Sequence, residues 1–415
     1  MEKENNEKKD KIEETKQFTK IYNFKKGDME GSKKLKVVII ILVIIALLTA
    51  VYFGIDYYNK NHIVEDVDNS SDVDEVLENT IDLDNNTFNG EGIVKTGTTY
   101  TINKDGIYTI TGTTTNSNVV VDTNGDVTII LDNANIRSSS TAAILGKNGT
   151  TLTITLKDNT TNYVADGGNS EYDAAIFSNS KLKINGNGTL NVTGNVEEGI
   201  ATENNDLTIE NGNIKIVSKD DGINAGGEGG VITINGGNIY VNANGDGIDS
   251  NQDVVINGGT IFVMGSTQAD NAAIDSDNLY KIAGGTIVAL GNGMMEAPSD
   301  QSTQKVILFN LNNKIASNTL VALLDNDDNV ITVFKSEKDF STITISTSDV
   351  IDNTYSLYTA GSYTTENDYG IFTDGSYTKG SNVIVDNSTL FEVKEITNWF
   401  GKTDKMEGQP GNLPR

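Results

Sequence analysis

The stretch DDGINAGGEGGVITINGGNIYVNANGDGIDSNQDVVINGG, Asp220–Gly259, says one short phrase twice. An acidic turn runs into Gly-Ile, an alternating apolar run leads to Asn-Gly-Gly, and a second alternating run follows. Working outward, the same phrase appears on both sides. A small residue followed by isoleucine occurs at Ile144, Ile176, Ile200, Ile223, Ile248 and Ile274, in steps of 32, 24, 23, 25 and 26. A second column, Ile184, Ile209, Ile234, Ile256 and Ile282, precedes the glycine turn, and a third, Leu190, Ile214, Ile239, Ile261 and Ile287, follows it. Three columns advancing together mark a structural repeat.

Within ITINGGNIYV, Ile232 and Ile234 share one parity and Ile239 and Val241 share the next, which is strand alternation rather than helical spacing. A unit of about 25 residues cannot bury its own apolar side, so stacked units must share an interior. Three parallel strands per coil with glycine at the corners predict an all-β fold, a parallel β-helix over residues 81–300. Asn235 and Asn257, with Glu210 as a variant, are placed to form side-chain ladders at the corner. The calcium β-roll, with its shorter GGxGxD repeat, and the leucine-rich repeat, with its LxxLxL pattern, fit less well. After Pro298 the phrase stops. VILFNL, TLVALLDNDDNVITVF, STITIST and YSLYTA read as ordinary strands of a C-terminal β module, 303–396, capping the solenoid or lying along its side; residues 397–415 read as a disordered tail.

Composition narrows the chemistry. There is no cysteine, and the single histidine, His62, lies before the repeats, which excludes disulfides and argues against a Ser-His-Asp triad or a soft-metal site. Residues 1–36 hold eleven lysines and eight acids, +3, so the rest must sum to −30 to give −27. So acidic a chain does not bind nucleic acid through phosphate contacts. Val37–Ile55 is nineteen residues without a charge, roughly 28 Å as a helix at about 1.5 Å per residue. Lys33, Lys34 and Lys36 precede it and an acidic segment follows. The expectation is a basic cytoplasmic segment, 1–36, an uncleaved transmembrane anchor, 37–55, and an acidic stalk, 56–80, with the remainder at the cell surface. A cleaved signal peptide is the competing reading; the long leader and the lack of a small-x-small site speak against it.

Aligned on the small-Ile column, Glu198, Asp221 and Asp246 stand two residues before it; Asn224, Asp249 and Asp275 one after; Glu203, Asn251 and Asp277 three after. Coils lie about 4.8 Å apart, where neighbouring carboxylates repel by roughly 3 kcal/mol at an effective dielectric near 20. No lysine or arginine lies in these columns. Oxygen-only donors of this kind suit Ca²⁺. The predicted ligands are Asp221, Asp246, Asp249 and Asp275 first, then Glu198, Asn224, Asn251 and Asp277. The plainer alternative is solvated turn acids screened by salt. DNDDN at 325–329 imitates the start of an EF-hand loop, but Val330 stands where that loop needs glycine, so a hairpin turn is expected.

The run from Asp220 through YKIAGGTIVALGNGMMEAP, together with GSYTTENDYGIFTDGSYTKG, Gly361–Gly380, resembles the bacterial carbohydrate-binding-domain family of surface proteins. The resemblance covers about 80–396. It implies a right-handed β-helix similar to polysaccharide lyases, bound calcium at the Asp-Gly-Ile turns, and binding of cellulose-like or acidic, pectin-like polysaccharide without established cleavage. The chain departs from the pattern at Ala174 and Ala272, which lack the turn acid.

Outward parity after the glycine turn gives a column of Asn191, Lys215, Tyr240, Phe262 and Val288, beside Thr193, Val217, Asn242, Met264 and Leu290. Tyr240, Phe262 and Lys215 are the candidate sugar-binding residues, unless the C-terminal module covers that face. A calcium-dependent lyase is the alternative function. Its base would be Lys219, whose acidic neighbours favour the ammonium form, the wrong state for a base. A structural envelope or adhesion protein without a glycan ligand is the third.

Overall fold

The computed structural model describes residues 78–385, except 169–171, 269–270, 293–296, 352 and 366–368. The expected cytoplasmic segment, membrane span, most of the stalk, the end of the C-terminal module and the tail lie outside the described residues. No helix long and apolar enough to cross a membrane occurs among the described residues.

The repeats stack as a parallel β-solenoid of about eight turns. Three faces recur in chain order. The first carries the small-Ile strands, among them Ile176–Ser178, Ile200–Glu203, Ile223–Gly226, Ile248–Ser250 and Ile274–Ser276, each paired in parallel with the next. The second carries the strands before the glycine turn, from Val127–Arg137 through Thr151–Leu156, Lys181–Gly186, Leu207–Ile209, Ile232–Ile234 and Asp253–Ile256 to Leu279–Ile282. The third carries those after it: Thr161–Ala165, Thr189–Gly194, Asn213–Ser218, Asn238–Ala243, Thr260–Met264 and Thr286–Gly291. All three isoleucine columns point inward and are buried in one core. Full burial of each such side chain is worth about 1.5–3 kcal/mol.

Glycine is required where coils change direction. Gly237, Gly259 and Gly285 all have φ near +100°, a region costly for any side chain. At the same corner the asparagine ladder forms. Asn257 donates to Asn235 Oδ1 at 2.8 Å, Asn235 donates to Glu210 Oε2 at 2.7 Å, and Lys183 pairs with Glu210 at 2.7 Å.

After the last coil, Val306–Ile315 and Phe340–Ser346 pair antiparallel, and Phe340–Ser346 also pairs antiparallel with Thr286–Gly291. Leu320–Asp325, Val330–Lys335, Tyr355–Thr359 and Asn382–Val385 form a separate four-stranded antiparallel sheet. Asp325–Asn329 is the hairpin turn expected in place of an EF-hand loop: Asp325 Oδ1 accepts from the backbone N–H of Asp327 and Asn329 at 2.9 and 2.8 Å.

This module covers the lower half of the third face. Tyr240, Phe262, Met264, Val288 and Leu290 pack with Phe309, Phe334, Phe340 and Ile343 in a second core. Tyr240 is 3 % exposed and Phe262 0 %. The two rings stack at 5.9 Å, but the expected open sugar platform is corrected to an internal contact, because the backbone of Gly370 lies against the Phe262 ring. Lys215 is half-buried, its Nζ 4.7 Å from the Tyr240 ring centroid.

Ile234→Ala, in the middle of the second column, is expected to cost about 2–5 kcal/mol by denaturant unfolding. A loss below about 1 kcal/mol contradicts a continuous shared interior.

Candidate metal centre

The parallel register carries the acids to one edge of the solenoid. Because Ile200, Ile223, Ile248 and Ile274 are direct partners, Asn224, Asp249 and Asp275 form the adjoining column. The turns before them are stacked by backbone hydrogen bonds, Gly199 N–H to Asp221 O at 2.9 Å and Gly222 N–H to Asp246 O at 3.0 Å. The glycine of each Asp-Gly-Ile turn allows this approach. A Cβ on Gly222 would stand 2.5 Å from Gly247 O, and one on Gly247 2.4 Å from Ala273 O. A Cβ on Gly245 would stand 2.3 Å from Asp221 Oδ1, so this glycine gives the carboxylate its room.

Two carboxylate clusters result, each with ligand atoms all within 4.8 Å of one another: Asp221, Asp246 and Asp249, and, on the two coils before them, Asp173, Glu197 and Glu198. Each turn acid also orders the coil beyond it. Asp221 Oδ1 accepts from the Asp246 N–H at 2.7 Å, and Asp246 Oδ1 accepts from the Ala272 N–H. Asp166, buried, accepts from the N–H groups of Asn195 and Val196 at 2.5 and 3.1 Å, fixing the turn that bears Glu197 and Glu198. The Asn224 amide donates to Asp221 Oδ2 at 2.9 Å and to Asp249 Oδ2 at 3.3 Å.

The charges remain in excess of these donors. Burial, then the charge of Asp221, pushes the Asp246 carboxyl up to about 8. The same causes push Asp249 up to about 7, and burial pushes Asp221 up to about 6. Burial and the neighbouring Asp173 hold Glu198 well above the usual carboxylate range. Glu198 Oε2 is buried with no hydrogen-bond partner. An orphaned buried oxygen among carboxylates is satisfied by a proton or a cation.

Of the residues expected to bind metal, Asp221, Asp246 and Asp249 converge. Glu198 belongs to the neighbouring cluster. Asp275 lies close enough to raise Asp221 and Asp249, while its Oδ1 accepts from the Ser276 N–H at 3.0 Å. Asn224 sits between two carboxylates, donating to both through Nδ2, which leaves its Oδ1 as an acceptor beside the cluster. Asp277 is exposed and reaches Asp249 only through its charge, and Asn251 makes its described contact through its backbone N–H to Ala225 O. Asp173 and Glu197 are additions. Their signal was a column three residues before isoleucine, Asp173, Glu197 and Asp220, one position upstream of the aligned acids; Asp173 supplies a carboxylate where Ala174 lacks one.

Fold and clusters together define a β-solenoid whose turns carry acidic clusters that could hold a metal ion. Residues 96–353, more than half of the chain, match the family described as carbohydrate-binding domain-containing protein, and the chain belongs to that family. A carbohydrate-binding domain-containing protein of Acetivibrio thermocellus is 32% identical over 141 residues, 32% of this chain and 49% of that protein. The chain thus matches about half the length of that relative. A solved structure, the polysaccharide lyase-like protein from C. thermocellum as a gadolinium derivative, is 26% identical, with a TM-score of 0.43, covering 53% of this chain and 90% of that one.

Raised carboxyl pKa values give a signed pH prediction for metal-free protein. Folding favours the protonated acids, so their contribution is complete below pH about 4 and is lost as pH rises through about 6 to 8. The thermal midpoint measured in chelator falls over that window, and Asp246→Asn flattens the fall. An unchanged slope in Asp246→Asn contradicts the electrostatic account.

Proposed function

We propose that this chain binds polysaccharide without cleaving it and that calcium holds its acidic turns in register. The observation that carries the reading is the stack of two all-oxygen carboxylate clusters on a solenoid of the carbohydrate-binding family. Ca²⁺ takes six to eight oxygens with loose geometry. Asp221, Asp246 and Asp249 would hold one ion with Asp275 beside them, and Asp173, Glu197 and Glu198 a second. The orphaned Glu198 oxygen fits such a ligand, and neither cysteine nor a nearby histidine competes for a softer metal. Right-handed winding is the sense that parallel crossovers favour. The uncharged run Val37–Ile55, with lysines before it and acids after it, supports an anchor that leaves the solenoid on the outer face of the membrane. Cellulose-like and acidic, pectin-like polymers are the candidate ligands.

Retention of the full chain on insoluble polysaccharides, with calcium and with chelator, tests the reading. Retention that falls in chelator is expected; no retention on any polymer in calcium favours an envelope scaffold instead. The lyase alternative places its base at Lys219, which is exposed beside Asp220. With polygalacturonate and calcium, the absorbance of unsaturated products is expected to stay flat. Growth that disappears in Lys219→Ala reverses the conclusion.

A further inference from the structure

The third face is covered only in part. Asn135, Tyr163, Asn191, Lys215, Tyr240, Phe262 and Val288 are direct partners in successive coils. The C-terminal module seals the last three. Its edge is marked by Glu337, whose Oε2 accepts from Asn242 Nδ2 at 3.2 Å. Beyond that edge the face is open: Tyr163 is 42% exposed and Val217 is 42% exposed.

The open half carries uncommitted positive charge. Arg137 is exposed, and its Nε donates to Asn135 Oδ1 at 3.3 Å. Lys215 rests over the Tyr240 ring. Neither has a carboxylate partner among the described residues. On the neighbouring second face the situation is the opposite: Lys181 and Lys183 are held by Asp206 and Glu210 at 3.3 and 2.7 Å. In a chain of net charge −27, two cations without an ion-pair partner stand on one face, on either side of an exposed tyrosine, where they can meet anionic groups of a ligand. The exposed acids Glu197 and Asp220 follow at the turn, so an anionic ligand is confined to the strand face rather than its rim.

The dimensions suit an extended chain rather than a small ion. Arg137 and Lys215 stand three coils apart, about 14 Å at about 4.8 Å per coil. Between them lie the Tyr163 ring and the Asn191 amide, with Asn135 beside Arg137, groups that stack on sugar rings and exchange hydrogen bonds with hydroxyls. We propose that a carboxylate-bearing polysaccharide lies along this open half-face, with its acid groups on Arg137 and Lys215 and a sugar ring against Tyr163. The placement rests on the polysaccharide-binding reading and supplies its missing surface after the burial of Tyr240 and Phe262.

The full chain, in calcium, is titrated with polygalacturonate and with uncharged hydroxyethyl cellulose. Arg137→Gln and Lys215→Gln are each expected to weaken polygalacturonate binding about tenfold, the scale of a lost charge-assisted hydrogen bond. Tyr163→Ala is expected to weaken it as well. Lys181→Gln removes the same charge from the neighbouring face and is expected to bind like the parent, and all four are expected to keep the parent's thermal midpoint. If polygalacturonate binds and these variants bind it equally well, or if Lys181→Gln is as damaging, the placement falls while the carbohydrate reading stands. Preference for the uncharged polymer overturns the anionic assignment. Binding of neither polymer overturns both the placement and the reading beneath it.

Discussion

The hydrogen-bonded register between coils is the constraint on which everything else depends. Parallel pairing sets one strand spacing for inward and outward side chains alike. Inside, that spacing stacks isoleucine on isoleucine. At the Asp-Gly-Ile turn it brings carboxylate up to carboxylate, and nothing in the backbone can relax the approach, because Gly222 and Gly247 already let the turns close to hydrogen-bonding distance. The solenoid therefore gathers acids as a by-product of burying its core. The Asn224 amide and the N–H groups of Asp246 and Ala272 answer part of the repulsion; a proton or a cation must answer the remainder.

The C-terminal module has a related origin. Tyr240, Phe262, Met264, Val288 and Leu290 point outward by strand parity, yet a solvated stripe of that composition is unfavourable. The module converts it into a second interior. Its attachment includes Lys338, whose ammonium donates to the carbonyls of Ala243 and Gly265 and whose pKa burial lowers to about 8. Ala243 ends the strand that enters the Asp246 turn, so the same backbone segment is gripped by the module on one side and carries a carboxylate of the acidic cluster on the other.

The solenoid was legible because its isoleucine columns recur at nearly constant steps, a signal that needs no knowledge of partners. The corner ladder was legible for the same reason: Asn235 and Asn257 occupy one register position. For Tyr240 and Phe262 the alternation left two outcomes open, an exposed platform or cover by the C-terminal module, because it separates inside from outside the coil without fixing what folds over the outside; the module covers them. The Asp221 cluster followed from column alignment, whereas Asp173 and Glu197 sit one residue out of that alignment and become neighbours of Glu198 only through the turn's path. Asn224 was legible as a member of the aligned column, whereas the two N–H contacts that its amide makes with Asp221 and Asp249 were not.

The last coil has two of its three strand edges occupied. Phe340–Ser346 runs antiparallel along Thr286–Gly291, and the N–H groups of Ser299 and Thr303 take the carbonyls of Tyr280 and Ile282. A further coil, from this chain or another, finds those edges already used. This end of the solenoid is thereby closed on two of its faces to pairing with another strand.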